Sequence, residues 1–310
     1  MVRILVTGAT GFIGRALCRG LIERGHAVLG LTRTSAEPIP GVELRSIGEI
    51  GPQTDWPKHL ASVDSVIHLA TWAHHAVRPG ATLHDAEAAA ALARAAAIAG
   101  VPRLVHMSSV RAMGEMTQPG IPFRPGDPAL PREAYGRAKL ATERALVQAA
   151  RETGLELVIL RSPLVYGPAV KANFRALIDL VASGLPLPFA DIDNRRSLIF
   201  LGNLVDVAAR AAVHPAAAGR VLLVRDPADL STEELVRRLA SELGRPARLF
   251  RVPEAAFAAF RRLPVLGPLI ARLTLSLQVD DGATLAALDW TPPVSPEQGL
   301  AATVRALRDR

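Results

Sequence analysis

Cysteine is almost missing from this chain. The one residue present, Cys18, excludes an internal disulfide and any multi-thiolate metal site, and its apolar neighbours on a helical stretch mark a buried, inert thiol. Aromatics are scarce at 4%, and no basic run is interleaved with them, so the pattern of a nucleic-acid binder is lacking even though the net charge is +7. We expect no nucleic-acid partner. No stretch of eighteen or more residues is free of charge, so no membrane-spanning helix is expected. The first residues lead straight into a strand with glycines rather than into a basic region, an apolar run and a cleavage site. The expectation is a cytoplasmic, unprocessed protein without stable membrane insertion. What is present is a chain of 310 residues, 49% hydrophobic and 21% charged, the profile of a globular protein. Its length suffices to bury a core without disulfides or metals.

Apolar runs alternate with helical patterns. Arg3–Val6, Ala27–Leu31, Ser65–Leu69, Leu104–Met107 and Leu157–Leu160 read as strands, with helices over Ile13–Arg24, Asp85–Ala99 and Tyr135–Thr153. Continuous rather than alternating hydrophobicity means that both faces of the strands are covered, so the fold class is α/β, a doubly wound parallel sheet of Rossmann type. Beyond Tyr166 the Pro and Gly content rises and a smaller region begins, with Val221–Val224 returning to the main sheet. The expected division is 1–167 plus about 199–225 for a dinucleotide, and 168–198 plus 226–310 for a substrate.

Directly after the first strand come Gly8, Gly11 and Gly14, spaced G-x-x-G-x-x-G, and then a helix. Glycine allows the tight turn and the close approach of backbone N–H groups to a pyrophosphate at the positive end of the helix. About twenty residues on, where a carboxylate commonly meets the adenosine ribose, stand Thr32 and Arg33. A guanidinium pairs with a 2′-phosphate and Thr32 suits a ribose hydroxyl, so the cofactor reads as NAD or NADP, with Arg33 tilting it to NADP.

Ser108 and Ser109 end a strand, and Tyr135 and Lys139 lie one turn apart on one helix face. In a parallel sheet they converge at the strands' carboxyl ends. A phenol is a poor base at neutral pH, and a nearby ammonium favours the phenolate, so Lys139 is expected to tune Tyr135 for proton transfer while Ser109 bonds the same substrate oxygen. His74 and His75 lack a third ligand and are read as polar loop residues, with no metal assigned. The apolar, Arg-punctuated stretch 255–275 is read as a lid, with membrane docking as its alternative.

With Thr7–Gly14, Ser108–Ser109 before Met113–Gly114, and Tyr135-x-x-x-Lys139, the chain resembles the extended short-chain dehydrogenase/reductases, the NAD-dependent epimerase/dehydratase group. His68–Ala70, Arg161–Pro168, Lys171–Phe174, Asn194–Ser197 and Leu288–Trp290 extend the resemblance along almost the whole chain. The resemblance implies cofactor contacts from Gly8, Gly11, Phe12, Ile13, Gly14, Thr32, Arg33, Leu69, Ala70, Ser108, Tyr135, Lys139 and Pro163. It implies a UDP-sugar substrate held by Ser109, Asn173, Arg196 and Asp280, catalysis by Tyr135, Lys139 and Ser109, and a homodimer. Met113 stands where many members have Tyr, the Asn usual near Asp85 is absent, and Thr32–Arg33 replaces an acidic strand end.

The leading expectation is hydride transfer at carbon 4 of a UDP-hexose or UDP-N-acetylhexosamine, as a 4-epimerase of polysaccharide precursors. The alternative is an NADPH-dependent reductase of a UDP-4-keto-6-deoxy-hexosamine, which Arg33 favours. A 4,6-dehydratase lacks its acidic pair, since Val110–Arg111 stand there. A non-catalytic dinucleotide sensor is a remote third reading, set against the intact Tyr135 and Lys139.

Overall fold

The structure, a computed structural model, describes residues 1–71, 81–264 and 266–308. Seven parallel strands form the central sheet: β1 (Arg3–Thr7), β2 (Ala27–Thr32), β3 (Val42–Ser46), β4 (Ser65–His68), β5 (Arg103–Ser109), β6 (Glu156–Ser162) and β10 (Val221–Leu223). Their order is β10-β6-β5-β4-β1-β2-β3, so the chain reverses its direction of travel at β1 and β4. That reversal opens the crevice in which doubly wound sheets bind their ligands.

Alternate residues of each strand go to opposite faces. Ile4 and Val6 join Val105, Met107, Val158 and Leu160 beneath α1 (Phe12–Glu23) and α6 (Leu201–Val213). Leu5, Val66, Leu104, Leu157 and Ile159 pack on the other face against α2 (Pro57–Leu60), α3 (Ala81–Ile98) and α4 (Ala134–Thr153). Cys18 is buried in the first of these layers, and burial pushes its thiol up to about 12, which leaves it unreactive. Strand β3 is the one central strand that apolar runs do not announce. It is an edge strand whose Glu43 and Arg45 are half-buried or exposed and pair with each other, so its sequence never becomes continuously apolar.

A separate core gathers Tyr166, Phe174, Ile178, Leu239 and Leu300 around α5 (Ala172–Ala182), α7 (Thr232–Glu242) and α11 (Pro296–Arg308). Two parallel strand pairs edge it, β7 (Leu164–Tyr166) with β9 (Leu198–Phe200), and β8 (Leu187–Ala190) with β11 (Leu249–Arg251). Helix α7 begins with a reciprocal cap: Ser231 Oγ accepts from Glu234 N at 3.0 Å, and Ser231 N donates to the Glu234 carboxylate at 2.7 Å. The short helices α8 (Glu254–Phe260), α9 (Leu266–Thr274) and α10 (Gly282–Leu288) complete this side. Phe12, at the start of α1, packs on both the first layer and this core, and so joins the glycine turn to the second region. Among the described residues no helix is long and apolar enough to cross a membrane.

Candidate active site

Because the strands run parallel and in register, the residues after β1, β2, β4, β5 and β6 emerge along one edge. This places Gly8–Gly14, Thr32–Arg33, Leu69–Ala70, Ser108–Ser109 and Pro163 on the carboxyl rim of the sheet. Gly8 has φ +68° and lies so near the chain after β4 that a Cβ there would sit 3.2 Å from Ala70 N. Gly14 has no room for a side chain: a Cβ would overlap the carbonyl oxygen of Gly8 and come within 2.9 Å of Ala9 Cα. Thr7 fixes the other wall. Its Oγ1 accepts from Leu69 N and Ala70 N, both at 3.1 Å, so its own proton goes to His68 Nδ1 at 2.8 Å. That hydrogen bond suits a neutral imidazole, and burial, helped by the Lys139 charge, holds His68 down to about 3.

Helix α1 starts at Gly11 without a side-chain cap. The N–H groups of its first turn, at Phe12, Ile13 and Gly14, therefore point out of the helix toward the rim without intrahelical partners. A cradle that only glycine backbone fits, closed by an uncapped helix N-terminus, matches the pyrophosphate of a dinucleotide. Thr32 is buried and its hydroxyl donates to Thr34 O at 2.8 Å, whereas Arg33 is exposed at the end of β2.

The Ser–Tyr–Lys group assembles across β5 and α4. Ser109 Oγ accepts the N–H of Arg111 at 3.2 Å, which leaves its own proton for the side-chain hydrogen bond that joins it to Tyr135. Burial raises the Tyr135 phenol above its usual value, while the Ser109 hydrogen bond and the Arg111 guanidinium act against that rise. The Arg111 guanidinium is a cation that acts on this phenol and was not singled out by the sequence. The Lys139 ammonium lies deeper. Lys139 Nζ runs down to donate to Met107 O at 3.2 Å on β5, fully buried, and desolvation lowers it to about 8 although the Asp85 and Glu143 carboxylates favour its charge. Asp85 itself is buried and accepts from Thr71 Oγ1 at 2.8 Å.

Ser108 points the other way. Its hydroxyl donates to Glu143, which also holds Arg161 through two bonds at 3.0 and 2.6 Å, so the side chain ties β5 to α4 and β6. Pro163 is buried between β6 and β7. The second tyrosine, Tyr166, is bound to Asp226 at 2.6 Å within the second core, which leaves Tyr135 as the phenol at the rim.

On the substrate side Arg196 is half-buried and donates to Leu275 O at 2.9 Å. Burial, with repulsion from Arg111 and Arg272, lowers its guanidinium to about 10. Arg111 and Arg272 share one carboxylate, Glu133, at 2.7 and 3.6 Å. Arg196 lies close enough to both for their charges to act on it, a grouping of guanidiniums that suits a diphosphate. Arg111 was missed as a site residue because its approach to Tyr135 depends on the short 110–112 turn. Asn173, exposed in the first turn of α5, joins none of these contacts among the described residues. Neither does Asp280, which is held by Arg124 at 3.6 Å and Gly282 N at 3.0 Å. A cavity of about 860 Å³ opens beside this cluster, lined by Thr117, Asn194, Val252, Phe257, Thr274 and Ser276; Ser109 and Tyr135 are not part of its wall. His74 and His75 lie outside the described residues, and among those described no three His, Cys, Asp or Glu converge on a metal site.

A glycine cradle at a helix N-terminus, a Ser–Tyr pair and a buried Lys on the same rim define a dinucleotide-dependent enzyme that moves a proton at a hydroxyl or carbonyl oxygen. The chain belongs to the NAD dependent epimerase/dehydratase family, whose model matches residues 4–224. It is 37% identical to a UDP-glucose 4-epimerase of Vibrio cholerae over 98% of this chain and 94% of that protein. It is 29% identical to a UDP-glucose 4-epimerase of Mycolicibacterium smegmatis, over 100% of this chain and 99% of the relative. In fold it is similar to the UDP-glucose 4-epimerase of Thermotoga maritima with UDP-glucose, with a TM-score of 0.77, 22% identity and 99% of each chain covered. The UDP-glucuronic acid 4-epimerase of Bacillus cereus, solved with UDP-glucuronic acid and NAD, matches with a TM-score of 0.78, 20% identity and 99% of each chain covered.

Proposed function

We propose that the protein is a sugar-nucleotide 4-epimerase that uses NAD and acts at carbon 4 of a UDP-hexose or UDP-N-acetylhexosamine. The observation that carries this reading is the Ser109–Tyr135 pair on the rim, with Lys139 buried behind it. The near-full-length likeness to UDP-glucose 4-epimerases supports the substrate class. In this reading residues 1–167 with 199–225 hold the dinucleotide. Gly8, Gly11, Phe12, Ile13 and Gly14 cradle its pyrophosphate, Thr32 and Arg33 meet the adenosine ribose, and Leu69, Ala70, Ser108 and Pro163 line its path to Lys139. When bound, the nicotinamide would supply a reversible hydride acceptor for the carbon-bound hydrogen.

Tyr135 handles the proton. Its oxygen takes the proton of the sugar 4-hydroxyl and returns it when the hydroxyl is re-formed on the opposite face. Ser109 donates to the same sugar oxygen and holds it within reach of the phenol. Arg111 stabilises the phenolate while Tyr135 is deprotonated, and Lys139, charged at neutral pH, keeps the region behind it positive. Residues 168–198 with 226–310 take the sugar nucleotide. Arg196, backed by Arg111 and Arg272, meets the diphosphate, with Asn173 and Asp280 at the edges of the substrate. We place the protein in the cytoplasm as a homodimer paired through α3 and α4, where Leu83 and Ile98 are exposed.

The test is proton NMR of UDP-glucose and UDP-N-acetylglucosamine incubated with the enzyme and NAD. The reading expects the galacto epimer to accumulate to equilibrium from at least one of them. Unchanged spectra with both substrates contradict it.

A further inference from the structure

Residues 245–275 carry six arginines, Arg245, Arg248, Arg251, Arg261, Arg262 and Arg272, against one acid, Glu254. This short segment is thus markedly more basic than the chain around it. It also holds four large apolar side chains that stand out from the protein: Phe250 is 47% exposed, Phe260 46%, Leu263 43% and Leu269 47%. Helix α8 turns Phe257 into the body of the chain, where it is buried, and leaves Phe260, one turn on, outside. The apolar content of the segment is therefore divided: one aromatic serves the fold and the others face solvent.

Phe250 lies on β11, and Phe260, Leu263 and Leu269 lie around the α8–α9 turn that follows it in the chain. The end of α8 meets the start of α9, since a Cβ on Gly267 would overlap Arg261 O. β11 lies beside β8, with Leu187 N donating to Arg248 O at 2.8 Å, and Leu185, just before β8, is 60% exposed. The charges divide as the apolar groups do. Arg251, Arg261 and Arg272 are tied to Asp191, Glu254 and Glu133, whereas among the described residues no ion pair holds the exposed Arg245, Arg248 and Arg262.

We propose that this face, the β8–β11 edge with the α8–α9 turn, docks on the surface of an anionic lipid bilayer. Phe250, Phe260, Leu263 and Leu269 would enter the headgroup–acyl boundary, and Arg245, Arg248 and Arg262 would meet lipid phosphates. Exposed aromatic and aliphatic tips among unpaired guanidiniums are the composition that holds a peripheral protein at such an interface, each cation adding electrostatic attraction and each tip adding apolar burial. Among the described residues no helix of this face is long and apolar enough to span a bilayer, and the proposed association is peripheral and reversible.

The test is co-sedimentation of the full-length protein with vesicles of phosphatidylcholine alone and with about one-third phosphatidylglycerol, as salt is raised through the range that screens surface charge. Wild type should pellet with the anionic vesicles, release as salt rises, and bind neutral vesicles at least about tenfold more weakly. Phe260→Ser with Leu263→Ser, and separately Arg248→Glu with Arg262→Glu, should each weaken binding about 100-fold or more while thermal melting and turnover of a UDP-sugar stay unchanged. A wild type that stays in the supernatant with every vesicle overturns the proposal, as does a variant pair that binds like wild type. So does the outcome of a lid, in which the apolar pair loses turnover and keeps vesicle binding. So too does the outcome of a protein interface, in which that pair changes the sedimentation coefficient and leaves vesicle binding intact.

Discussion

Gly14 and Gly20 lie on the same helix and serve different ends, and replacing each with alanine separates the cradle from the core. At Gly14 a Cβ meets only backbone, namely Gly8 O and the Cα and carbonyl carbon of Ala9. No side chain there can swing away. Overpacking costs about 1–3 kcal/mol in general, and a clash with backbone alone belongs at the top of that range. About 3 kcal/mol corresponds to a melting point lower by about 6–12 °C in a domain of this size. The strain lifts the first turn of α1 away from Gly8, so the N–H groups facing the pyrophosphate lose their aim. Losing one charge-assisted hydrogen bond, about 1.5–3 kcal/mol, weakens NADH by about 10- to 100-fold. At Gly20 the new methyl overlaps Val205 Cγ1, a branched side chain buried between α1 and α6, and lies 3.2 Å from Arg24 Nη1. Gly20→Ala is expected to cost about 1–3 kcal/mol and about 2–12 °C, with NADH affinity unchanged. Differential scanning calorimetry and a fluorescence titration with NADH give both numbers for both variants. If Gly14→Ala binds NADH like wild type, or if Gly20→Ala loses affinity in proportion to its stability, the cradle argument is refuted.

Four further outcomes follow from the site. Tyr135→Phe should lower turnover by about 10²–10⁴-fold with little change in NADH or UDP affinity, measured by steady-state kinetics and titration. Arg196→Ala should raise the KM for a UDP-sugar by about 10- to 100-fold, the loss of a charged hydrogen bond at a diphosphate; an unchanged KM removes Arg196 from the substrate. Burial lowers Lys139 to about 8 and Asp85 opposes that fall, so the ammonium is present below about 8 and lost above it. Asp85→Asn should therefore shift the alkaline limb of kcat to lower pH, and a limb that stays in place or moves up removes Asp85 from the control of Lys139. Because the folded value lies below that of the unfolded chain, the cost of burying this charge is felt in full below about 8 and fades as pH rises toward the ordinary lysine value. Arg33→Ala should weaken NADPH about tenfold and leave NADH within about twofold, as read by titration.

The parts of the molecule legible in its sequence are those set by backbone and by spacing. Continuous apolar runs mark β1, β4, β5 and β6, since strands covered on both faces have no polar alternation to hide them. Val221–Val224 is likewise readable as a strand returning to the sheet, and β10 pairs with β6. Strand β3 escapes this logic as a half-exposed edge. The glycine spacing and the one-turn separation of Tyr135 and Lys139 also survive folding, because helix geometry alone fixes which face they share. Where a long side chain ends is not fixed in that way. Lys139 Nζ finds Met107 O, Ser108 finds Glu143, and Arg111 comes back to Tyr135, and each of these ends depends on contacts between residues far apart in the chain or on a turn that no periodicity specifies. Asp85 illustrates the same limit, since its role is visible only once Thr71 and Lys139 are beside it.

The central claim is that one rim, with Tyr135 as its proton carrier, removes hydrogen from carbon 4 and returns the same hydrogen to the other face. The most direct measurement follows whichever of UDP-glucose and UDP-N-acetylglucosamine is turned over, deuterated at carbon 4, by NMR and mass spectrometry during a single incubation with the enzyme and NAD in ordinary water. The account predicts a galacto epimer that keeps its deuterium at carbon 4, formed by wild type and at least about 100-fold more slowly by Tyr135→Phe. Product that has exchanged its deuterium with solvent, or undiminished turnover by Tyr135→Phe, contradicts it.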